Sequence, residues 1–149
     1  MPSLTYNEGA HQLESGGSVN YTADDIEVIL VKSGYAANKD DTNTVLAAAE
    51  ISGVTGYVGG FGGAGRKLLA GKSKTKDNAN DRIVYDAADP SAWTLGAGDT
   101  VGGAIIAKKG AANDTTAVLL FFLDFTDVPT NGSTFTLQFH ADGIGYTQQ

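Results

Sequence analysis

Thr115–Phe125, read as TTAVLLFFLDF, is the most apolar segment of the chain and the one that decides its fold class. Turn-forming residues flank it, and it is short for a buried helix. A short apolar run with such neighbours is typical of a buried strand. The segment therefore predicts a central strand of a β-rich domain.

Four further segments have the composition of strands. Asp25–Lys32 is rich in β-branched residues and is bounded by turn residues, which is a strong strand signal. The others are Arg82–Tyr85, Thr100–Lys108 and Ser133–His140.

The last of these strands alternates in polarity, so it predicts an inward face made of Phe135, Leu137 and Phe139. Asn131-Gly132 directly before it predicts a β-hairpin turn. In the middle of the chain, Arg66–Lys76 resembles a solvated strand, with a lysine-serine-threonine run at its end.

Helical signals are weak. Ser3–Glu14 has some apolar periodicity and a stop at Gly16-Gly17, although Gly9 weakens a helix there by about 1 kcal/mol relative to alanine. An N-terminal arm that orders only against a neighbouring molecule is an equal alternative. Thr44–Glu50 contains three alanines and predicts one or two helical turns.

Together these signals predict a mainly β chain of about six or seven short strands with one or two short helices, arranged as a β-sandwich or barrel. The 149 residues fit one domain, residues 1–149, with an extended or helical arm at residues 1–17. Gly53–Gly65 holds seven glycines and predicts either a mobile loop or a tightly turned strand, anchored by Tyr57 and Phe61.

The overall charge and residue content exclude several classes of function. A net charge of −7 argues against binding to nucleic acid or to an anionic membrane. The absence of cysteine excludes disulfides and thiolate metal sites. No apolar run approaches the roughly 18 residues of a membrane helix, and the N-terminus has no signal-peptide pattern, so we expect a soluble, non-secreted protein.

Two glycine motifs resemble nucleotide-binding loops only in their letters. Gly60-x-Gly62-x-x-Gly65 matches a dinucleotide fingerprint, but that site needs a helix after the glycines, and Arg66–Lys76 has no helical period. Gly71-Lys72-Ser73 resembles the end of a phosphate-binding loop without its upstream glycine. We therefore expect no nucleotide cofactor.

No set of residues indicates catalysis or metal binding. The aspartates lack the spacing of a calcium loop, and turn residues of this kind more often bond their own backbone. No serine lies in a nucleophile elbow. We therefore predict a protein that is not an enzyme and binds no metal.

The aromatic residues leave two interpretations open. Trp93, Tyr57, Tyr85 and Phe61 could form a platform for stacking sugars. Aromatic side chains of a β protein more often lie in the core, because each can bury a large apolar area.

Asp77–Trp93, read as DNANDRIVYDAADPSAW, carries a family resemblance. Asn80-Asp81-Arg82, the segment Asp86-Ala87-Ala88-Asp89, Trp93, and the later Asp142-Gly143-Ile144 match a pattern shared by small virion proteins of tailed bacteriophages. The strand at Asp25–Lys32 and the Gly-Tyr segment occur in the same order, so the resemblance extends over most of the chain.

The resemblance implies a capsid decoration (cement) protein on the outer surface of the head, made in the bacterial cytoplasm. Its partners would be the major capsid protein and other copies of itself, with a homotrimer favoured. The expected capsid or subunit contacts are Leu4, Tyr6, Leu13, Tyr57 and Phe61. The alternatives are a tail or neck subunit, or a carbohydrate-binding module of a host-recognition structure.

The same stretch predicts a structural hub. We expect Arg82 to be held by one or more of Asp81, Asp86 and Asp89, because a guanidinium forms strong hydrogen bonds with carboxylates. This contact would fix the turn and seat Trp93 against the sheet.

Overall fold

The computed structural model describes residues 3–149, and within this range the chain forms ten β-strands and two short α-helices. The strands are β1 (Ser3–Thr5), β2 (Ile26–Lys32), β3 (Lys67–Leu68), β4 (Ser73–Asp77), β5 (Arg82–Asp86), β6 (Trp93–Thr94), β7 (Thr100–Lys108), β8 (Val118–Pro129), β9 (Thr134–Phe135) and β10 (Gly145–Gln148). The helices are α1 (Asn7–Leu13) and α2 (Leu46–Ala49). The strand count exceeds the prediction because four of the strands have only two or three residues.

The largest sheet is antiparallel and has the strand order β1-β8-β7-β2-β3. Side chains of β2 alternate between two hydrophobic clusters, with Val28 and Leu30 on one face and Ile29 and Val31 on the other. Because both faces are covered, β2 and β7 consist of continuous apolar runs instead of alternating ones.

The second layer contains the three-stranded antiparallel sheet β10-β5-β4 and the two-stranded ribbon β6-β9. Between the layers, the ring centroids of Tyr85 and Phe121 lie 5.6 Å apart and those of Phe125 and Phe135 lie 5.9 Å apart. These contacts join the second layer to the large sheet. The mainly β fold of the prediction is confirmed, in the form of a small β-sandwich.

The N-terminal segment is only partly helical. Ser3–Thr5 forms β1 and pairs with β8, and α1 covers only Asn7–Leu13. The described part of the arm, residues 3–17, therefore packs on its own chain, and the alternative of an arm ordered only by a neighbour is wrong for these residues. Positions 1 and 2 of the predicted arm lie outside the described residues. The helical turns predicted at Thr44–Glu50 are confirmed by a 3-10 turn at Asn43–Val45 and by α2.

Two strand predictions need correction. Arg66–Lys76 is not one solvated strand, because it contains β3 and β4, which belong to different sheets. Asn131-Gly132 forms a turn but no β-hairpin, since β9 pairs with β6 and the Gly132 amide donates to the Leu95 carbonyl at 2.7 Å. The predicted inward positions Phe135 and Leu137 are nevertheless buried, and Phe139 packs partly against them.

Gly9 allows α1 to lie directly on β8. A Cβ atom at Gly9 would lie 2.3 Å from the Leu119 carbonyl oxygen. We expect Gly9→Ala to lower the free energy of unfolding by about 1–3 kcal/mol through overpacking, although alanine is the better helix former. Urea denaturation measures this loss. Gly34→Ala is the control, because no atom lies within 4 Å of its added Cβ. Equal effects of the two substitutions would contradict the close packing.

Candidate functional site: a glycine-rich loop over a buried ion cluster

Arg66 ends the glycine-rich loop, defined here as Gly53–Gly65, and its side chain is buried among carboxylates. Its Nε and Nη2 donate to the two carboxylate oxygens of Glu50 at 2.9 and 2.7 Å. Its Nη1 and Nη2 donate to the two oxygens of Asp114 at 2.7 and 3.0 Å. Nη1 also donates to Glu27 at 3.2 Å. These four residues are called the Arg66 cluster below.

The members of the Arg66 cluster come from four separate parts of the chain. Glu27 lies in β2, Glu50 directly follows α2, and Asp114 begins a 3-10 turn before β8. The Arg66 side chain is only 2% exposed. Burial of charges is unfavourable unless they are paired, so the bidentate contacts to Glu50 and Asp114 are needed to keep the guanidinium inside.

Glu27 is the weakest partner in the cluster. Its carboxylate has one hydrogen bond, at 3.2 Å, to a guanidinium nitrogen that is closer to Asp114. Burial raises the pKa of Glu27 more than the neighbouring Arg66 lowers it. For Arg66, burial alone would lower the pKa, but the hydrogen bonds to Glu50 and Asp114 outweigh it and raise the pKa. The cluster therefore stabilises the charged form of Arg66 and makes Glu27 harder to ionise than an exposed glutamate.

Glu50 also fixes the glycine-rich loop. The Tyr57 hydroxyl donates to Glu50 at 2.8 Å and accepts from the Leu30 amide of β2 at 3.2 Å. The Gly60 amide donates to the other Glu50 oxygen at 3.0 Å. At the end of the loop, the Trp93 indole donates to the Gly65 carbonyl at 2.7 Å. Side chains of the core thus hold the loop at three points.

Glycine is required where the loop wraps around these side chains. A Cβ atom at Gly59 would lie 2.9 Å from the Glu50 carboxyl carbon, and one at Gly65 would lie 2.6 Å from the Tyr57 ring. Such contacts would displace the loop from the cluster. The glycine content therefore serves close packing. Residues 53–65 form tight turns, as one of the two predictions expected, but they contain no strand.

The tip of the loop exposes apolar side chains. Val58 is 63% exposed and Phe61 is 37% exposed, whereas Tyr57 between the loop and β2 is buried. The Lys109 ammonium lies 5.3 Å from the centroid of the Phe61 ring. Val58, Phe61 and Lys109 are called the loop surface below. Apolar side chains held outward by a fixed backbone are typical of an interaction site.

The predicted hub around Arg82 has a different partner. Arg82 Nε donates to Asp77 at 2.7 Å, and the guanidinium carbon lies 4.9 Å from the Tyr146 ring centroid. A hydrogen bond from Asn80 and then the one from Arg82 lower the pKa of Asp77. The prediction that Asp81, Asp86 or Asp89 holds Arg82 is therefore wrong.

The three other aspartates have separate positions. Asp81 occupies a left-handed turn conformation with φ 49°, which directs the chain from β4 to β5. Asp86 has a buried Oδ1 with no hydrogen-bond partner within residues 3–149. Asp89 accepts a hydrogen bond from the Phe139 amide at 2.7 Å. Trp93 is buried, but its polar contact is with the glycine-rich loop and not with the Arg82 turn.

Three of the four aromatic residues of the proposed sugar platform lie in the core. Trp93, Tyr57 and Tyr85 are all buried, so they offer no surface for stacking a sugar. The core interpretation of these aromatics is confirmed. Of the platform residues, Phe61 alone is exposed.

Burial also decides among the predicted contact residues. Tyr6, Leu13 and Tyr57 are buried within the chain and cannot contact a partner without unfolding. Leu4 is half-buried in β1. Phe61 is exposed and belongs to the loop surface.

The two glycine motifs lack the elements that nucleotide binding needs. Strand β3 follows Gly60-x-Gly62-x-x-Gly65, and β4 begins at the serine of Gly71-Lys72-Ser73. No helix N-terminus is available at either motif to bind a phosphate. Across residues 3–149, no group of three or more histidine, aspartate or glutamate side chains is arranged to hold a metal ion. No helix in this range is long and apolar enough to cross a membrane.

Comparison of the chain with models of known families, with curated proteins and with solved structures finds no match of any kind.

The Arg66 cluster was not predicted from the sequence, although one signal for it is present. Glu27 lies inside the apolar run of Asp25–Lys32, at a position where both faces of the strand are buried. A carboxylate at such a position needs a cation or a proton. Arg66, which directly follows the glycines and precedes Lys67, is the matching residue.

We expect Arg66→Met to lower the free energy of unfolding by about 3–5 kcal/mol, because it leaves three carboxylates without their cation. Chemical denaturation at neutral pH measures the loss. Arg82→Met removes the other described arginine pair, which is partly exposed, and should leave the unfolding midpoint nearly unchanged. A larger loss of stability for Arg82→Met than for Arg66→Met would support the original prediction that Arg82 is the structural hub.

The raised pKa of Glu27 predicts a pH dependence with a definite sign. A group with a higher pKa in the folded chain stabilises the fold below its unfolded value, here 4.5, and this contribution is lost as the pH rises through the folded pKa. Glu27→Gln mimics the protonated side chain. Its free energy of unfolding should therefore increase relative to wild type as the pH rises above 4.5 and through the raised pKa of Glu27.

Denaturation curves at several pH values give this difference directly. Glu14→Gln, at an exposed position, is the matched control and should show no such trend. A difference that shrinks with rising pH would mean that Glu27 is ionised in the fold.

Proposed function

We propose that this chain is a structural protein of a tailed-bacteriophage particle, most specifically a decoration protein on the outer surface of the head. In this role it binds the major capsid protein and stabilises contacts between capsid subunits. The chain would be made in the bacterial cytoplasm and end in the particle. It would need no catalytic group, cofactor or metal for this function.

The loop surface is the observation that carries the proposal. Val58 and Phe61 are exposed on a loop whose backbone and side chains are fixed by Glu50, Tyr57 and Trp93. A rigid apolar surface loses little conformational entropy when it binds, so more of its contact energy contributes to affinity. A protein that stays bound to a particle benefits from this property.

The polar groups of the Arg66 cluster support a structural role over a catalytic one. All three nitrogens of the Arg66 guanidinium donate to carboxylates inside the protein. Glu50 accepts from Arg66, Tyr57 and Gly60. These groups hold the loop in place and have little capacity left to bind a substrate.

The sequence resemblance supports the same assignment and also allows a tail or neck subunit. A carbohydrate-binding module is the weaker alternative, because Trp93, Tyr57 and Tyr85 lie in the core.

Imaging of phage particles that carry a tagged copy of the chain tests the proposed location. Many copies distributed over the head shell are expected. Copies confined to the tail or to a single vertex would assign the chain to the tail or neck instead. Absence of the chain from purified particles would reject the virion role as a whole.

We expect the double variant Val58→Ser, Phe61→Ser to bind heads at least about tenfold more weakly, because each residue is a candidate hot spot of the contact. The measurement is binding of purified protein to heads that lack it, together with thermal unfolding to confirm the fold. Val128→Ser alters another exposed apolar residue outside the loop surface and serves as control. Unchanged binding of the folded double variant would exclude the loop surface as the contact.

A further inference from the structure

Strand β4 has one side that pairs with no strand within residues 3–149. Its other side pairs with β5 over all 5 residues, from Ser73 opposite Asp86 to Asp77 opposite Arg82, without a shift of register. No backbone hydrogen bond joins residues 73–76 to a described residue outside β5. Residues 73–76 are also all exposed. Strand β4 is therefore a regular unpaired edge, and we call it the open edge below.

The open edge lies away from the N-terminal strand. Strand β1 contacts β10, where the Thr5 hydroxyl donates to the Tyr146 carbonyl at 2.9 Å. Because the order of the small sheet is β10-β5-β4, the two strands β10 and β5 separate β1 from β4. The unpaired side of β4 is the side turned away from all three of these strands.

Lysines determine the charge of the open edge. Residues 67–76 contain four lysines and no acidic residue, although the whole chain has a net charge of −7. Lys74 and Lys76 lie in β4 two positions apart, so their side chains project from the same face of the strand. Lys76 has no ion pair or hydrogen bond with another described residue, and Lys74 makes only a long contact of 3.4 Å with the Leu13 carbonyl.

The carboxylates near these lysines have other partners. Asp77, at the end of β4, accepts a hydrogen bond from Arg82 Nε at 2.7 Å. The Asp24 carboxylate pairs with Lys108 at 3.2 Å, and Lys72 donates to the Asp24 backbone carbonyl. The positive charges of the open edge are therefore not neutralised by ion pairs within the described chain.

We propose that the open edge binds an extended acidic segment of another protein, which adds to the small sheet as a strand beside β4. An unpaired strand offers a row of amides and carbonyls that another strand can satisfy. Acidic side chains at alternate positions of the added strand would lie opposite Lys74 and Lys76, where oppositely charged cross-strand pairs are stabilising. Two features of the edge, its free backbone and its lysines, thus favour the same partner.

Other partners fit the open edge less well. The same edge of a second copy carries the same lysines, and like charges opposite each other are destabilising. A nucleic acid would meet the lysines but has no strand to pair with the backbone, and the net charge of −7 repels a polyanion. The inference does not rest on the virion role, and the loop surface is not part of it.

A peptide titration tests the proposal. The probe is a peptide of about nine residues with alternating glutamate and threonine and with blocked ends, long enough to span the edge. It is added to the full chain labelled with 15N, and the amide resonances are followed by NMR. We expect the amides of residues 73–77 to shift and to exchange more slowly with solvent, and those of Val58 and Phe61 to stay unchanged.

Three further probes separate strand addition from simple charge attraction. The first is the same peptide with methylated backbone nitrogens, which keeps its charge but cannot pair as a strand. The second has lysine in place of every glutamate, and the third is a single-stranded oligonucleotide of equal charge. Each should bind at least about tenfold more weakly than the acidic peptide. Equal binding of the methylated peptide or of the oligonucleotide would overturn the proposal, because the lysines would then attract any anion.

Charge reversal in the protein tests the role of the lysines. Lys74→Glu with Lys76→Glu should weaken binding of the acidic peptide at least about tenfold. Lys32→Glu with Lys39→Glu changes the net charge equally but away from β4, and should bind like wild type. Thermal unfolding verifies the fold of both variants, and Lys76→Glu alone replaces the first pair if the change at Lys74 disturbs the packing near Tyr85.

Two results with the acidic peptide would overturn the proposal. One is a wild type whose amides at residues 73–77 do not respond to the peptide, which would mean that the lysines only keep the edge unpaired. The other is an equal loss of binding in the two charge-reversed pairs, which would mean that the peptide responds to net charge and not to the open edge.

Discussion

The fold depends on an arrangement with an unfavourable solvation energy, in which Arg66 is buried together with three carboxylates. Each buried ion costs several kcal/mol of solvation, and one guanidinium cannot neutralise three negative charges. The chain meets this constraint by bidentate pairing with Glu50 and Asp114 and by raising the pKa of Glu27, which favours its neutral form. Because the partners come from β2, the end of α2 and the turn before β8, the cluster forms only when all of these segments are in place.

The position of the glycine-rich loop follows from the same constraint. Glu50 accepts hydrogen bonds from Arg66, Tyr57 and Gly60, so the carboxylate that pairs the arginine also fixes the loop above it. A glycine-rich segment would ordinarily be mobile, because glycine has the largest backbone entropy to lose. Here the loss is offset by contacts that only glycine permits, such as the approach of Gly65 to the Tyr57 ring. Val58 and Phe61 are therefore exposed on a loop whose position is fixed by its contacts with Glu50.

The sequence predicts the long strands but not the ion cluster, and the reason is sequence separation. The burial of a strand is recorded in consecutive residues, whereas the partners in the cluster lie far apart along the chain. β2, β7 and the inner half of β8 are buried on both faces, and a continuous apolar run records that directly. Strands of two residues, such as β3 and β6, are defined by their partners and leave no pattern of their own. Arg82 was assigned to aspartates close to it in sequence, and its partner is indeed local, five residues away. Arg66 has partners 16, 39 and 48 residues away along the chain. The one sequence signal for this pairing is Glu27, an acidic residue inside an apolar strand.

Strand β8 shows how one element serves both the core and the surface. Its inner half, residues 118–123, pairs with β7 and is apolar and mostly buried, whereas its outer half carries Asp124 and Asp127, which are exposed. The change of composition therefore coincides with the change from buried to exposed side chains, because an apolar side chain is stabilised by leaving water and an unpaired carboxylate is destabilised by it. Strand β4 is likewise exposed along residues 73–76, and it carries Lys74 and Lys76. Within residues 3–149 this strand pairs with β5 on one side only, and lysines along such an edge hinder its pairing with the same edge of another copy.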